Sequence, residues 1–458
     1  MSFFCKLAIL LLTALQFLMP LVSVNLSPVT FVAAVAVLFS SLPLMGKGFK
    51  KITIVFLGLG IGLLLFFHQP FPVWMTAVTS MTSLISILAI MQLYSIPIQL
   101  GNYHTAVRHW LTKSFKQEKT LFLFTTFVSH ILASILSFGV IPVMVTLLGD
   151  TLKGKIFHYE RFISAAITRG FGLVVLWAPG AINVMLVIQA TGVKWSDILL
   201  PSMVFSVIGM ATSYFLEAKS YLAATADLNL GSEAETQAEG SSAASKAVHV
   251  FAVVAGLLLF IIFLEKNNFG YSAANRIMFA GAIVVLFWIT FFIKRPGFTA
   301  TLKNYWQKDL LKTVDLAPLF ISMGIFSTAL EKTGVLTLIQ PYLQTGANTI
   351  GIAALAVIPV LLILCAVVGI HPFISIVMFG HILTSLQLPI PAISIALCLA
   401  LGGTISYIVS PFAGMILMLS KFINCRAVDI SISWNGVFSS ILFVEGILFA
   451  YCWGRYFG

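Results

Sequence analysis

Two apolar stretches in different halves of the chain share an unusual pattern. Residues 171–186 and 403–418 align without a gap, and each carries a proline near its middle, Pro179 in the first and Pro411 in the second. Proline inside a helix removes a backbone donor and clashes with the carbonyl four residues earlier, so both helices are expected to break near mid-membrane. Freed backbone groups are tolerated in hydrocarbon only where they line a cavity or bind a ligand. A matched pair of interrupted spans therefore predicts a transporter whose binding site lies at the breaks.

Composition places the chain in a membrane. Of the 458 residues, 59% are hydrophobic and only 9% are charged, and the mean hydropathy of +1.04 leaves too few charges to cover a soluble domain. A net charge of +11 would suggest nucleic-acid binding in a soluble protein, but here the basic residues lie in short loops between apolar runs. This is the positive-inside pattern. We therefore expect a multi-pass protein of the cell (cytoplasmic or inner) membrane, in contact with the lipid bilayer and binding no nucleic acid.

The apolar runs predict about eleven transmembrane helices, with the N-terminus inside and the C-terminus outside. Residues 1–25 are expected to form an extra N-terminal transmembrane helix, because no signal-peptidase site follows them. A basic stretch at 101–119 is expected to lie on the cytoplasmic surface as an interfacial helix. The predicted spans are residues 7–24, 28–45, 52–67, 73–98, 162–190, 198–216, 248–264, 277–293, 316–330, 391–419 and 432–452.

Two further apolar runs have the wrong length for simple spans. Residues 120–150 are too long for one helix across a core of about 30 Å and too short for two full spans. A re-entrant hairpin fits best, with Ser137, Gly139 and Pro142 at its tip, and a tilted span plus an interfacial helix is the alternative. Residues 349–387 repeat the Gly-x-x-Pro pattern at Gly369, His371 and Pro372. There a second hairpin is favoured by the repeat, although two ordinary spans would also return the chain to the same side.

These segments fall into two halves of opposite orientation. The first inverted repeat is predicted at 26–216, with its hairpin at 120–150 and its broken helix at 162–190. The second is predicted at 247–458, with its hairpin at 349–387 and its broken helix at 391–419. Between them, 217–246 is polar and rich in Ala, Ser, Glu and Gly, which is typical of a flexible cytoplasmic linker. The fold class is thus an all-α polytopic membrane protein with two re-entrant hairpins and two inverted-topology repeats.

The plan resembles the ion transporter superfamily of secondary carriers, which includes divalent-anion/sodium symporters, membrane subunits of TRAP-type carriers and citrate permeases. The breaks Ala178-Pro179-Gly180 and Ser410-Pro411-Phe412 look like those of TRAP membrane subunits. The Ser-Asn-Thr triplet that divalent-anion symporters place at their hairpin tips is absent from both predicted tips here. The resemblance implies an elevator mechanism and a homodimer, and it leaves the substrate and the coupling ion open.

The candidate binding residues are small or polar and lie at the four interruptions. The N-terminus of a half-helix carries partial positive charge and unpaired amides, which can bind an anion. Backbone carbonyls freed at the breaks can coordinate sodium. The alternative interpretation is that small residues merely permit close helix packing. Arg169, just before the first break, is a candidate charge partner for a substrate anion, or else it extends to the cytoplasmic face. The candidates are Ser137, Gly139, Pro142, Pro179, Gly180, Ala181, Asn183, Gly369, His371, Pro372, Ser375, Ser406, Ser410, Pro411, Ala413 and Gly414.

The function predicted from these patterns is secondary active transport of a small anion, with an organic carboxylate as the expected class, coupled to sodium or protons. Two alternatives remain open: a cation/proton exchanger, and the membrane subunit of a multi-component, TRAP-like transporter. The chain lacks H-E-x-x-H, G-x-x-x-x-G-K-[ST] and G-x-S-x-G, so no enzyme activity is expected. No cofactor or metal site is expected beyond the coupling Na⁺ or H⁺.

Overall fold

The long apolar runs of the sequence form helices, because a helix satisfies its own backbone hydrogen bonds where no water can. The computed structural model describes residues 2–101, 103, 117–222, 237–270, 272–314 and 316–457, and these contain helices and turns without a strand. The helices of the first half are α1 (Ser2–Leu18), α2 (Ser27–Ser41), α3 (Lys47–Phe66), α4 (Phe71–Thr79), α5 (Thr82–Leu93), α6 (Ser95–Leu100), α7 (Glu118–Leu136), α8 (Val140–Leu152), α9 (Tyr159–Val174), α10 (Ile182–Thr191) and α11 (Trp195–Ser220).

The second half continues the same architecture. Short π-helical turns at Tyr305–Asp309 and Asp429–Ser433 and a 3₁₀ turn at Gly351–Ala353 interrupt its helices, and 3₁₀ turns also occur at Leu42–Leu44 and Ser137–Gly139. Its helices are α12 (Gln237–Lys266), α13 (Ala273–Thr290), α14 (Phe298–Asn304), α15 (Leu310–Val314), α16 (Ala317–Lys332), α17 (Val335–Ile350), α18 (Ala354–Val367), α19 (Pro372–Ser385), α20 (Ala392–Val409), α21 (Gly414–Ile423) and α22 (Gly436–Tyr456).

Within the described residues, 11 helical segments are long and apolar enough to cross a membrane, so the chain is an all-α polytopic membrane protein. All but two of the predicted spans coincide with one of these segments. The exceptions are 7–24, where α1 has only 17 residues, and 162–190, which is divided between α9 and α10. Their places are taken by Glu118–Leu136 and Gln340–Val367, which overlap the predicted hairpins. One arm of each predicted hairpin therefore belongs to a helix of spanning length.

The helices pack into two compact units, and each unit draws on both halves of the sequence. The first unit contains Met1–Leu100, Gly256–Thr349 and His381–Gln387. Inside it, α16 packs along α3 at Gly60, where an added Cβ would lie 2.9 Å from the backbone nitrogen of Phe326. Close approach of this kind is how membrane helices associate without a hydrophobic driving force.

The second unit contains Gly101–Ala255, Ile350–Gly380 and Leu388–Gly458. It holds both interrupted helices, α9–α10 and α20–α21, and both predicted hairpin tips, so every candidate binding residue lies in this one unit. A close helix contact in it joins α7 and α9 at Gly170, where an added Cβ would lie 2.6 Å from the Thr126 carbonyl oxygen.

One predicted segment lies mostly, and a second partly, outside the described residues. The interfacial helix at 101–119 falls mostly on 102 and 104–116, and the linker at 217–246 includes 223–236. At the edges of the linker, α11 continues to Ser220 and α12 begins at Gln237. Glu217, which the linker prediction placed in solvent, is 1% exposed inside α11. The boundaries of the two repeats remain predictions.

Candidate functional site

The first interruption separates α9 from α10. α9 ends at Val174 and α10 begins at Ile182, so Pro179, Gly180 and Ala181 lie in the non-helical connection. Trp177 in this connection donates its indole N–H to His130 Nε2 on α7 at 3.0 Å. The opposite nitrogen, His130 Nδ1, lies 3.0 Å from the Gly170 carbonyl.

Since His130 Nε2 accepts the indole hydrogen bond, Nδ1 is the protonated nitrogen and donates to Gly170. This chain of hydrogen bonds fixes the break against α7.

The second interruption separates α20 from α21. α20 ends at Val409 and α21 begins at Gly414, with Ser410, Pro411 and Ala413 between them. Ser410 Oγ donates to the Ala366 carbonyl at 2.6 Å near the end of α18 and accepts from the Phe412 backbone amide at 3.3 Å. The hydroxyl of this predicted binding residue therefore joins the break to the neighbouring helix.

The two interrupted helices cross each other close to their breaks. A Cβ added to Gly172 on α9 would lie 2.6 Å from the Ile408 side chain on α20. On the other side of the crossing, a Cβ added to Gly403 would overlap the Asn183 amide of α10. α10 packs on α20 and α9 packs on α21, a reciprocal arrangement of the two pairs of half-helices. The structure thus brings together the two stretches that the sequence alignment paired.

Three buried polar side chains on the crossing helices α10 and α20, and one on α19, have no hydrogen-bond partner among the described residues. Both amide atoms of Asn183, which is 1% exposed, and the hydroxyls of Thr404, Ser406 and Ser375 are all unpaired in this sense. An unsatisfied buried donor or acceptor costs about 1–3 kcal/mol, so native proteins keep few of them. Such atoms also occur elsewhere in the described residues, at Thr53 and Ser439 for example, and those beside the two helix breaks are available to a polar ligand there.

The two predicted hairpin tips turn in different ways. At the first tip, Ser137 has φ 49° and ψ −129°, a conformation that favours glycine. Gly139 has an ordinary φ of −63°, and Pro142 lies within the first turn of α8. The unusual backbone of this segment therefore falls on Ser137, and the re-entrant hairpin itself stays a prediction. A strained conformation on a non-glycine residue is a feature of functional sites.

At the second tip, Gly369 carries the positive φ of 93° and Pro372 begins α19. His371 Nδ1 accepts from the Phe373 backbone amide at 3.3 Å, which orients the imidazole at the tip. The centroid of its ring lies 5.8 Å from that of Tyr407 on α20. His371 therefore lies beside the interrupted helix that carries Ser406.

Arg169 is fully buried and its guanidinium is occupied by protein groups. Nη2 donates to Glu217 Oε1 at 2.7 Å and to the Trp434 carbonyl at 3.0 Å. Nε donates to Asn435 Oδ1 at 2.8 Å, and Nη1 donates to Ser213 Oγ at 3.2 Å. Four of its five N–H groups therefore donate to protein groups, and its side chain is fully buried rather than extended into solvent. Its charge partner in this structure is Glu217.

Sequence reasoning missed Glu217, Asn435 and Tyr407, which help to build this region. Glu217 stands at the edge of a polar stretch, and Asn435 lies near the start of the predicted span 432–452, where a polar residue is ordinary. Tyr407 was part of the aligned stretch, but an aromatic residue in an apolar run is normally a packing residue. Within the described ranges, no group of three or more His, Cys, Asp or Glu residues is placed to hold a metal ion.

Comparisons with known proteins identify the fold. No family model matches the chain, and no curated protein matches it in sequence. Among solved structures, the chain is similar to the Alcanivorax borkumensis YdaH transporter, a structure described as having an unusual topology. The TM-score is 0.57 and the identity 12%, over 84% of this chain and 86% of that one. At this identity the likeness shows the fold alone, and that fold is one of a membrane transporter.

Proposed function

We propose that this chain is a secondary active transporter that moves a small anion across the cell membrane, coupled to sodium or protons. The observation that carries the proposal is the crossing of two interrupted helices with buried polar groups lacking partners among the described residues. Asn183 is the clearest of these groups, because an amide that is neither exposed nor hydrogen-bonded is costly unless a ligand uses it. The similarity to the YdaH transporter also supports transport rather than an enzyme activity.

The electrostatics of the crossing favour an anion. α10 begins at Ile182 and α21 begins at Gly414, so two helix N-termini with unpaired amides start at the breaks. None of the sixteen candidate residues carries a carboxylate that would balance a bound divalent or exchanged cation. The C-terminal ends of α9 and α20 supply carbonyl oxygens suited to a coupling sodium ion. An organic carboxylate satisfies both the helix N-termini and the neutral hydroxyl and amide groups.

The mechanism we propose is of the elevator type, as the resemblance to the ion transporter superfamily implies. The reciprocal packing of α9–α10 and α20–α21 supports two inverted repeats as the origin of the site. Both breaks and both predicted hairpin tips belong to one compact unit, which supports their moving as one body with the substrate. A homodimer is the assembly expected for such carriers.

Transport by purified protein in liposomes tests this proposal. Labelled carboxylates are offered under an imposed sodium or proton gradient, and uptake is expected for at least one gradient and one substrate. The Asn183→Leu, Pro411→Ala and His371→Ala variants should insert normally and lose most of that uptake. Normal uptake by all three variants would contradict the proposed binding site.

The same experiment distinguishes the alternatives. Uptake in the absence of any second protein argues against a TRAP-like subunit. Exchange of Na⁺ for H⁺ without any anion flux would assign the chain to the cation exchangers and contradict the anion proposal.

A further inference from the structure

An apolar groove lies on the second unit, away from the helix crossing. Its volume is about 270 Å³, and α22 forms one wall while the beginning of α18 with the preceding 3₁₀ turn forms the other. None of its lining residues belongs to the candidate binding site. The groove is lined by Ile352, Ala353, Leu355, Ala356, Ile447, Leu448 and Tyr451.

One end of the groove carries a basic residue. Arg455, one turn beyond Tyr451, donates from Nη1 to the Tyr451 hydroxyl at 2.8 Å. In the part of the chain that the structure describes, Arg455 makes no ion pair with a carboxylate. It lies in the last turn of α22, next to Tyr456 and Phe457, which are 72% and 74% exposed. Arginine and aromatic residues at the end of a span mark the membrane–water interface.

The depth of the groove matches this placement. From Arg455 to Ile447 the helix rises about 12 Å, so the groove extends from the interface toward the middle of the membrane. A lipid aligned along α22 would place its headgroup beside Arg455 and its chain against Leu448 and Ile447. A second protein copy covering this surface would instead have to bury the guanidinium without a described counter-ion.

We propose that this groove is a binding site for an anionic phospholipid. One acyl chain occupies the apolar part between α18 and α22, and the lipid phosphate pairs with the Arg455 guanidinium, whose planar fork suits phosphate oxygens. Because the Tyr451 hydroxyl accepts from Arg455, its own hydrogen is available to donate to the phosphate. The site is independent of the transport proposal.

Native mass spectrometry of the full-length protein released from micelles tests the site. Phosphatidylglycerol and phosphatidylcholine with identical chains are added in equal amounts, and the wild type is expected to retain the anionic lipid preferentially. Arg455→Gln should lower that preference about fivefold, the contribution of one basic residue near an anionic headgroup. Lys421→Gln, which removes an exposed charge from α21, should leave it unchanged and serves as the matched control.

A second pair of variants tests the apolar part. Ala356→Phe fills the groove and should reduce retention of the anionic lipid, whereas Val357→Phe, on an exposed position outside the lining, should not. Equal retention of both lipids by the wild type, or an unchanged preference in Arg455→Gln, would overturn the proposal. Displacement of the lipid by soluble glycerol phosphate would show a phosphate site without a chain and would contradict it as well. A changed oligomeric mass in Ala356→Phe with unchanged lipid binding would assign the groove to a second copy.

Discussion

Two buried asparagines in the second unit show how differently the fold treats the same side chain. Asn435 donates from Nδ2 to Thr168 Oγ1 at 2.9 Å and to the Ile430 carbonyl at 2.8 Å, and its Oδ1 accepts from Arg169. Asn183 is equally buried, but neither of its amide atoms has a partner among the described residues. Asn435 therefore stabilises the fold, whereas Asn183 destabilises it in the absence of a ligand.

This contrast predicts opposite effects of one substitution. Asn183→Leu should leave the free energy of unfolding unchanged or raise it, because an unsatisfied amide is replaced by an apolar group, and it should abolish uptake. Asn435→Leu should lower the free energy of unfolding by about 1.5–3 kcal/mol, since it removes hydrogen bonds that include one to a charged group. Denaturant unfolding in detergent measures both. A loss of stability in Asn183→Leu as large as in Asn435→Leu would show that Asn183 is a structural residue.

Glu217 is a second residue whose effect can be predicted. It accepts from Arg161 Nε at 3.0 Å and Nη2 at 2.9 Å as well as from Arg169. Glu217→Gln would leave the buried Arg169 without its charge partner, and we expect a loss of about 3–5 kcal/mol in the free energy of unfolding.

The control for Glu217 is Glu331→Gln. Glu331 pairs with Lys332 at 2.8 Å, and both side chains are about half exposed, at 56% and 49%. Its removal should change the free energy of unfolding little, because water screens an exposed ion pair. Equal effects of the two variants in thermal unfolding would show that the buried network adds nothing beyond a surface pair.

At the scale of elements, the crossing of α10 and α20 depends on Gly403. An added methyl group there would overlap the Asn183 amide, whereas nothing lies within 4 Å of one added to Gly414. Gly403→Ala should therefore force the helices apart, lowering the free energy of unfolding by about 1–3 kcal/mol and reducing uptake. Gly414→Ala should not lower the free energy of unfolding. If both variants behaved alike in melting and uptake assays, the helices would not be in the close contact described.

The interrupted helices could be predicted from sequence because proline with small neighbours recurs at the same place in the two aligned stretches, whereas Pro201, Pro341 and Pro359 each lie inside a continuous helix. Pro179 and Pro411 both lie in non-helical connections, as expected. The Arg169–Glu217 pair could not be predicted in this way, because its partners are separated by 48 residues and meet only when α9 and α11 pack. The positive φ of Ser137 was likewise hidden, since sequence patterns assign such a conformation to glycine.

For the whole molecule, the odd number of predicted spans predicts that the two termini lie on opposite sides of the membrane. The basic loops predict that the N-terminus is cytoplasmic and the C-terminus external. A reporter active only outside the cytoplasm should therefore be active when fused after residue 458 and inactive when fused before residue 1. Activity at both ends or at neither would require an even number of crossings, which would contradict the predicted extra N-terminal span at 1–25 and leave the two repeats of five spans each unaffected.

The interrupted helices α9–α10 and α20–α21 are in close contact on both sides of their crossing. Gly172 packs against Ile408, and Gly403 packs against Asn183, with no room for a larger side chain at either glycine. Neither helix is expected to slide or tilt without the other, so a ligand bound as proposed would not be released by separating them. In the proposed transporter, access to the site from one side of the membrane and then from the other would have to come from movement of segments that contact these two helices less closely. A chemical staple joining the two helices at their crossing should consequently leave turnover intact.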